Sequence, residues 1–344
     1  MNIQKLLYFF LFWAITSCSH KGIKFKGKIN FPAAYVVNGG SNNISVIDLN
    51  TWEVRKTIPL NTKGNYPHHI SLSPDRKKIT IALPEFNFIQ THSQLHQMTD
   101  KKGGVIVMNA RTGKIERNLP LPKANFNAVF SHDNSEIWSA SVTHSGELYV
   151  FDAKTGAQKA VITLGADPTE LVFSQDGTYV FVALEESSFI LAVDTRSKQI
   201  KKYMKVDPFP TNVWSGKNGN IYVENKNLKT ISIVDEDSLN TYEFIDLKFK
   251  PGQVAYNKSL NELWVCQAED NKVAYFERNN NAWVLKSSIV TGQDAHAVIF
   301  SKDEKIAYIV NQKENTVSVI DVEKHQKVKD IPVGQSPNGI VLRE

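Results

Sequence analysis

Apolar and polar residues alternate in short runs along this chain, and the same run returns seven times. Each copy is a stretch of mainly apolar residues that ends on an acid or an amide. The closing residues are Asp48, Asn109, Asp152, Asp194, Asp235, Glu277 and Asp321. They lie 61, 43, 42, 41, 42 and 44 residues apart. A period of about 42 residues with two-residue alternation is typical of β-propeller blades and not of helical repeats.

One repeat contains four candidate strands bounded by turn residues. In the clearest unit these strands cover residues 168–173, 179–184, 189–194 and 199–206. We label the strands of a unit A to D, from the channel outward. The chain begins with a B strand at 34–38 and ends with an A strand at 338–342. The sequence therefore predicts an all-β fold, a seven-bladed β-propeller of four-stranded antiparallel blades, in which the N- and C-terminal strands close one shared blade.

The first and last repeats carry a more specific pattern. Residues 305–311 read KIAYIVN and residues 315–321 read NTVSVID, while the first repeat has YVVN at 35–38 and NISVID at 43–48. These motifs resemble the YVTN-repeat (YncE-like) propellers of bacteria and archaea. The resemblance implies a seven-bladed propeller outside the cytoplasm, in a family whose functions are diverse. It implies no particular activity, because one fold hosts many functions.

The N-terminus has the pattern of an export signal. Lys5 precedes an apolar run at 6–15, which is too short to span a bilayer as a mature helix. The run ends in Ile-Thr-Ser-Cys at 15–18, which resembles a bacterial lipobox. We therefore expect the lipoprotein form, with a lipid on Cys18 that anchors the protein to a bacterial membrane. The alternative is cleavage nearby, which would leave Cys18 as a free thiol.

This interpretation divides the chain into three parts. The predicted layout is a lipoprotein signal peptide at 1–17, the lipidated cysteine with a flexible tether at 18–31, and the propeller at 32–344. The anchored protein would face the periplasm from the outer membrane or lie at the cell surface. Its first partner would then be the membrane itself, through the lipid.

The charge balance bears on possible partners. The chain has 40 basic and 35 acidic residues, a formal net charge of +5. So small a surplus does not predict nucleic-acid binding, and lysines on outer strands serve to prevent edge-to-edge association. Cys266 is the one cysteine besides Cys18, so no intramolecular disulfide is expected. We expect a monomer stabilised by packing and ring closure.

The repeat is interrupted once, by an insertion at 84–103 in the B–C loop of one unit. In a propeller the B–C and D–A connections lie on one face. This rule predicts a histidine-bearing face that carries His68, His69, His92, His96, His144 and His296. The insertion also contains Phe86 and Phe88, so we expect it to contact a protein or small-molecule ligand. The alternative is a disordered excursion.

Five of these histidines are candidate metal ligands. Neutral imidazoles suit Zn, Cu and iron, and Met98 would add a soft ligand for copper or haem. The candidate set is His68, His69, His92, His96 and His296. No nearby acid completes a known zinc motif, so the sequence does not establish a cofactor. A site for Cu, Zn or haem is kept as an alternative to a binding site without a cofactor.

A ring of polar residues is predicted at the openings of the A strands. Equivalent positions are occupied by His69, Asn127, Glu170, Asn212 and Gln253, with Ala297 and Gly339 at the other two. Together with His68 and His296, this ring is the candidate ligand-binding site at the channel mouth. The alternative is that the ring orders channel water.

The sequence does not identify a catalytic residue. It lacks Gly-x-Ser-x-Gly, His-Glu-x-x-His, Cys-x-x-Cys and a phosphate-binding glycine loop. The segment Pro67-His68-His69 resembles the start of a repeat in lactonase-type propellers, but His68 stands where those carry an arginine. The general sequence pattern is also similar to that of haem-d1-type propellers. Those propellers have eight blades, whereas this chain has seven repeats. The sequence thus favours a binding scaffold over a metal- or haem-binding protein or a lactonase-type hydrolase.

Overall fold

The computed structural model describes residues 27–62, 64–87 and 101–344. The predicted signal peptide, Cys18 and most of the predicted tether lie outside the described residues. The same holds for Phe88, His92, His96 and Met98. No helix in the described ranges has both the length and the apolar character needed to cross a membrane.

The described residues form seven four-stranded antiparallel sheets, as the repeat predicts. Blade 1 contains β1 (Ala33–Asn38), β2 (Asn43–Asp48), β3 (Glu53–Pro59) and, from the far end of the chain, β28 (Pro337–Arg343). Blade 2 contains β4 (His68–Leu72), β5 (Lys78–Ala82), β6 (Gly103–Asn109) and β7 (Ile115–Leu121). Blade 3 contains β8 (Val129–Phe130), β9 (Glu136–Ala140), β10 (Glu147–Asp152) and β11 (Gln158–Thr163).

The remaining four blades follow the same order. Blade 4 contains β12 (Pro168–Phe173), β13 (Tyr179–Leu184), β14 (Phe189–Asp194) and β15 (Ile200–Lys205). Blade 5 contains β16 (Asn212–Ser215), β17 (Asn220–Asn225), β18 (Thr230–Asp235) and β19 (Asn240–Asp246). Blade 6 contains β20 (Val254–Asn257), β21 (Glu262–Gln267), β22 (Lys272–Asn279) and β23 (Ala282–Val290). Blade 7 contains β24 (Ala295–Phe300), β25 (Ile306–Asn311), β26 (Thr316–Asp321) and β27 (Gln326–Pro332).

The middle strands are buried on both faces because each blade packs against its two neighbours. Strand β13 is buried from its second residue to its last, whereas the outer strand β3 alternates exposed and less exposed positions. The core therefore lies between blades. Trp264 and Cys266 of blade 6, for example, pack in one cluster with Val298 and Ala307 of blade 7. This arrangement explains why the middle strands read as short continuous apolar runs.

The two ends of the chain close blade 1. Strand β28 pairs antiparallel with β1, with Ile340 opposite Val36. The Arg343 guanidinium donates hydrogen bonds to the carbonyl oxygens of Ile29 (2.8 Å) and Phe31 (2.9 Å). Ile29, which the sequence analysis assigns to the tether, is fully buried.

The insertion lies in the predicted connection, between β5 and β6. Its first residues pack onto the propeller, since Phe86 is only 2% exposed and Glu85 N donates to the carbonyl oxygen of Lys102 at 2.8 Å. Phe86 is thus packed against the propeller, and the predicted ligand contact of the insertion stays a prediction. An apolar ring at the base of a loop gains more from burial against the blade than from exposure to water.

Gly146, in the B–C loop of blade 3, makes a close approach that a side chain would block. A Cβ atom there would lie 1.9 Å from Cδ and 2.3 Å from Cγ of Pro168, the first residue of β12. We expect Gly146→Ala to lower the free energy of unfolding by about 1–2 kcal/mol, because a rigid proline ring cannot move aside. Urea unfolding followed by tryptophan fluorescence measures this loss.

A double variant provides the control for the Gly146 prediction. Gly146→Ala with Pro168→Ala should recover part of the loss, because the second change removes the overlapping ring. Equal stability of Gly146→Ala and the wild type would contradict the predicted overlap.

Candidate ligand site in the channel

The innermost strands bring the predicted polar residues to the central channel. A cavity of about 130 Å³ in this channel is lined in part by His69, Asn127, Glu170, Trp214, Gln253, Asn338 and Gly339. We call it the channel cavity. Four of the five residues in the predicted ring thus share one cavity. Their register follows from the repeat, because each one lies within the first three residues of the inner strand of its own blade or within two residues before it.

An imidazole–carboxylate pair lies at the centre of this site. His69 Nδ1 is 2.6 Å from Glu170 Oε2, and Glu170 is only 3% exposed. The Asn127 side-chain amide donates a hydrogen bond to the other oxygen of Glu170 and a second one, at 2.8 Å, to the carbonyl oxygen of Leu171. The Asn127 contacts orient the Glu170 carboxylate and place its Oε2 beside His69 Nδ1, although the two atoms are not aligned as a hydrogen bond. The second ring nitrogen of His69, Nε2, remains available to a ligand.

His68 packs behind His69. The two rings stack with centroids 4.3 Å apart and planes 17° apart, and the edge of Phe126 meets His68 at 4.5 Å. The Nδ1 atom of His68 lies 3.1 Å from the carbonyl oxygen of Phe126. Burial, followed by the neighbouring His69 and His296, holds the pKa of His68 well below its usual range. His68 is therefore neutral at pH 7.

His296 opens the inner strand of blade 7 on the same face. Burial lowers its pKa to about 3, with smaller contributions from His69 and Lys226. A metal binds the neutral form of imidazole, and a low pKa keeps His296 in that form. The rings of His68 and His69, however, are stacked, so their nitrogens lie in nearly parallel planes. With His92 and His96 outside the described residues, the metal site predicted from the sequence stays a prediction.

Asn212 behaves differently from the rest of the predicted ring. Its side-chain amide donates to Glu224 Oε2 at 2.9 Å, and Glu224 Oε1 lies 3.3 Å from Lys226 Nζ. Trp214 Nε1 also approaches Glu224 Oε2, at 3.5 Å. Asn212 thus holds a buried carboxylate in place and does not line the channel cavity.

Sequence reasoning missed Trp214, Glu224 and Lys226. Glu224 had a signal that could have been used, because it occupies a buried middle strand where the corresponding residue of β25 is the apolar Val310. A buried acid in such a strand needs partners, and the nearest ones along the chain are Asn212 and Lys226. Nothing in the sequence singled out Trp214. The alternation of a short inner strand predicts only that some apolar residue stands at this position, and not that it lines a cavity.

A second acid nearby has an unusual proton affinity. Burial raises the pKa of Glu185 to about 7; the nearby Lys226 opposes the shift, and Asp167 and Glu224 add to it. Glu185 follows the last residue of β13 and so lies on the same face as the histidines. The face therefore combines neutral imidazoles with an acid that titrates near neutrality.

Seven four-stranded blades around a polar channel define a seven-bladed β-propeller with a candidate binding site at the channel mouth. This chain belongs to the YncE-like β-propeller family, whose model matches residues 27–343. The repeat motifs had already indicated this family, and the match confirms it.

Solved structures show the same fold at low sequence identity. A functionally unknown protein from Desulfotomaculum acetoxidans DSM 771 is similar over 90% of this chain and 98% of its own, with a TM-score of 0.71 and 12% identity. A periplasmic gluconolactonase from Pseudomonas aeruginosa is similar over 91% of this chain and 99% of its own, with a TM-score of 0.71 and 15% identity.

A third similar structure is the dihydro-heme d1 dehydrogenase NirN in complex with DHE. It covers 90% of this chain and 74% of its own, with a TM-score of 0.62 and 15% identity. No match was found among the curated proteins. At these identities the similar structures establish the fold alone.

Proposed function

We propose that this propeller is a binding protein that takes a small, hydroxyl-rich molecule into its channel cavity. The observation that carries this proposal is the convergence of the His69–Glu170 pair with Asn127 and Gln253 in one cavity. No covalent chemistry is needed for such a role. A rigid ring of blades supplies the preorganisation that makes small-ligand binding selective.

The hydrogen-bonding groups of the cavity favour hydroxyls over a charged ligand. Among the described residues, the buried Oδ1 atoms of Asn127 and Asn338 lack a hydrogen-bond partner, so each calls for a donor. Gln253 Oε1 accepts from Val298 N at 3.1 Å, which leaves the Gln253 amide nitrogen as a donor. A hydroxyl group both donates and accepts, so one type of group satisfies all of these sites.

Charge and size point to the same class of ligand. The Glu170 carboxylate accepts a hydrogen bond from the Asn127 amide and lies beside His69, and the described lining of the cavity contains no lysine or arginine that would attract an anionic ligand. A volume of about 130 Å³ is near the size that accepts a six-membered ring, since a cavity of about 150 Å³ holds benzene. Trp214 would supply an apolar surface for one face of a sugar-sized ring.

We also propose that the protein is exported and anchored through a lipid on Cys18. The support is the sequence pattern of the first eighteen residues, an apolar run followed by Ile-Thr-Ser-Cys. The channel cavity would then face the periplasm or the cell exterior. Metabolic labelling with a radioactive fatty acid tests the anchor, because Cys18→Ser should abolish incorporation of the label.

Binding of simple polyols tests the proposed function. Isothermal titration with D-glucose should detect binding to the wild type, and cyclohexanol, a ring with a single hydroxyl, should bind much more weakly. His69→Gln and Glu170→Gln should each weaken binding at least about tenfold, since hydrogen bonds to charged groups contribute about 1.5–3 kcal/mol.

The matched control is His132→Gln, because His132 is exposed and far from the channel cavity. This variant should bind like the wild type. Absence of polyol binding to the wild type, or unchanged binding in both channel variants, would contradict the proposal.

Lactone hydrolysis is the second candidate function, and one observation favours it. A histidine held by a buried carboxylate is the arrangement of a general base that activates water. His69 Nδ1 lies 2.6 Å from Glu170 Oε2, where a change of side-chain angle would give this arrangement, and a similar structure is described as a gluconolactonase. If hydrolysis is the function, the protein will accelerate acid release from D-glucono-1,5-lactone above the spontaneous rate, and His69→Gln will remove the acceleration.

A further inference from the structure

Three neighbouring loops bring an imidazole and two carboxylates together on the histidine-bearing face. His144 lies between β9 and β10, Asp167 directly precedes β12, and Glu186 lies between β13 and β14. His144 Nδ1 is 2.7 Å from Glu186 Oε2 and 3.2 Å from Asp167 Oδ2. We call these three residues the rim cluster. It is separate from the channel cavity, whose described lining contains none of them.

Backbone hydrogen bonds fasten these loops to one another. Ala166 N donates to the carbonyl oxygen of His144 at 2.9 Å, and Asp167 N donates to that of Thr143 at 3.2 Å. Glu185 N donates to the carbonyl oxygen of Asp167 at 3.1 Å. The side chains of the rim cluster therefore project from a connected frame and not from three independent loops, which favours a fixed ligand geometry.

The cluster combines a buried anchor with an open side. Asp167 is 3% exposed, whereas the His144 side chain is 60% exposed. The ligand atoms of all three residues lie within 4.8 Å of one another. Among the described residues, no other group of three or more histidine, cysteine, aspartate or glutamate side chains is this compact. An ion can reach the site from solvent while its ligands remain in place.

The local charge favours a cation. Asp167 and Glu186 face one imidazole, and the mostly buried Glu185 is surrounded by the carboxylates of Asp167, Glu224 and Glu186. Lys226, the cation that opposes the raised pKa of Glu185, already contacts Glu224. A bound cation would therefore offset the carboxylates of the rim cluster.

We propose that His144, Asp167 and Glu186 bind a divalent transition-metal cation of the zinc class. One imidazole nitrogen with two carboxylate oxygens is a donor set that Zn²⁺ accepts, at about 2.0–2.2 Å from each ligand. Ligands of a tetrahedral zinc are then roughly 3.4 Å apart, close to the 2.7 and 3.2 Å separations here. Three protein ligands leave one position for water or an external ligand.

Zinc titration of the chelator-treated full-length protein tests the site. Isothermal titration with ZnCl₂ should show a site in the wild type whose affinity falls by more than about 100-fold in His144→Ala and in Glu186→Gln. Loss of even an outer partner of a metal ligand costs 10- to 100-fold, and these two residues are direct ligands in the proposal. Both variants change partly or fully exposed side chains, so they should retain the wild-type circular dichroism spectrum.

Two controls separate this site from other zinc binding. His132→Ala removes an exposed histidine of the opposite face and should leave the titration unchanged. The triple variant of His68, His69 and His296 to glutamine removes the described part of the metal site predicted from the sequence, and it should retain the site as well. The proposal does not depend on polyol binding, which involves the channel cavity.

Three results would overturn the proposal. The first is a wild type without a zinc site, which would make the rim cluster an ion pair only. The second is zinc binding by His144→Ala and Glu186→Gln that equals that of the wild type. The third is loss of the site in the triple variant or equal weakening by His132→Ala, which would assign it to the channel histidines or to adventitious surface binding.

Discussion

Deletion of residues 337–344 is expected to abolish the cooperative unfolding transition of the propeller. The deletion removes β28, which forms the inner strand of blade 1 and is hydrogen-bonded to β1. Its first five residues, through Val341, are buried. Without it the ring loses closure, β1 presents an open edge, and blade 2 loses a neighbour, since β28 also contacts β4. The combined loss should exceed about 5 kcal/mol, which is comparable with the whole stability of a typical domain.

Thermal unfolding followed by circular dichroism, together with size-exclusion chromatography, measures this effect. The matched control is Arg343→Ala, which keeps the strand and removes only hydrogen bonds to Ile29, Phe31 and Tyr35. That variant should remain folded with a lower Tm. A separate peptide that covers residues 333–344 should restore part of the transition. A truncated protein with the wild-type Tm would show that closure by β28 contributes little.

Substitution of His296 by glutamine is expected to make the protein less sensitive to acid. The pKa of His296 is lowered to about 3 in the folded protein, whereas an unfolded histidine titrates near 6.5. Below pH 6.5 the unfolded state therefore binds a proton that the folded state does not, so the stability falls as the pH is lowered. Between pH 7 and pH 5 this loss is about 2 kcal/mol for His296. His68 acts in the same direction.

Urea unfolding at pH 7 and pH 5, in the presence of EDTA, measures the difference. The loss between the two pH values should be smaller in His296→Gln than in the wild type by about 2 kcal/mol. Glu185→Gln provides a control of opposite sign. Because the pKa of Glu185 is raised to about 7, acid stabilises the wild type through this group, and the variant should lose more stability at pH 5. Equal pH dependence of His296→Gln and the wild type would show that His296 is solvated in the folded protein.

Much of the architecture could be predicted because the repeat constrains it strongly. The strands predicted at 168–173, 179–184 and 189–194 coincide with β12, β13 and β14. The fourth, predicted at 199–206, is shorter by one residue at each end. The differences concern places where packing overrides the pattern. Ile29 is buried although it lies in a polar segment, and Phe86 is buried although it lies in a loop.

The candidate site was predicted in part. Equivalent positions in successive units must lie at equivalent heights in the ring, so His69, Asn127, Glu170 and Gln253 could be grouped in the channel from their spacing alone. The partners of these residues could not. The Asn212 side chain can point into the channel or toward Glu224. The choice depends on a side-chain rotation that the spacing of the repeats does not specify. The rim cluster was missed because His144, Asp167 and Glu186 occupy non-equivalent positions in three loops.

The amino-acid sequence by itself determined the number of blades, their strand order, the closure of the ring and the face that carries most of the histidines in the described part of the chain. These features follow from a regular repeat, and each blade must bury its apolar strands against the next. Only the tertiary structure decided which polar groups meet. It paired His69 with Glu170, Asn212 with Glu224, and His144 with Asp167 and Glu186. The physical reason is that such contacts join side chains across blades or loops, where small rotations and loop conformations, and not the periodicity of the chain, set distances of a few ångströms.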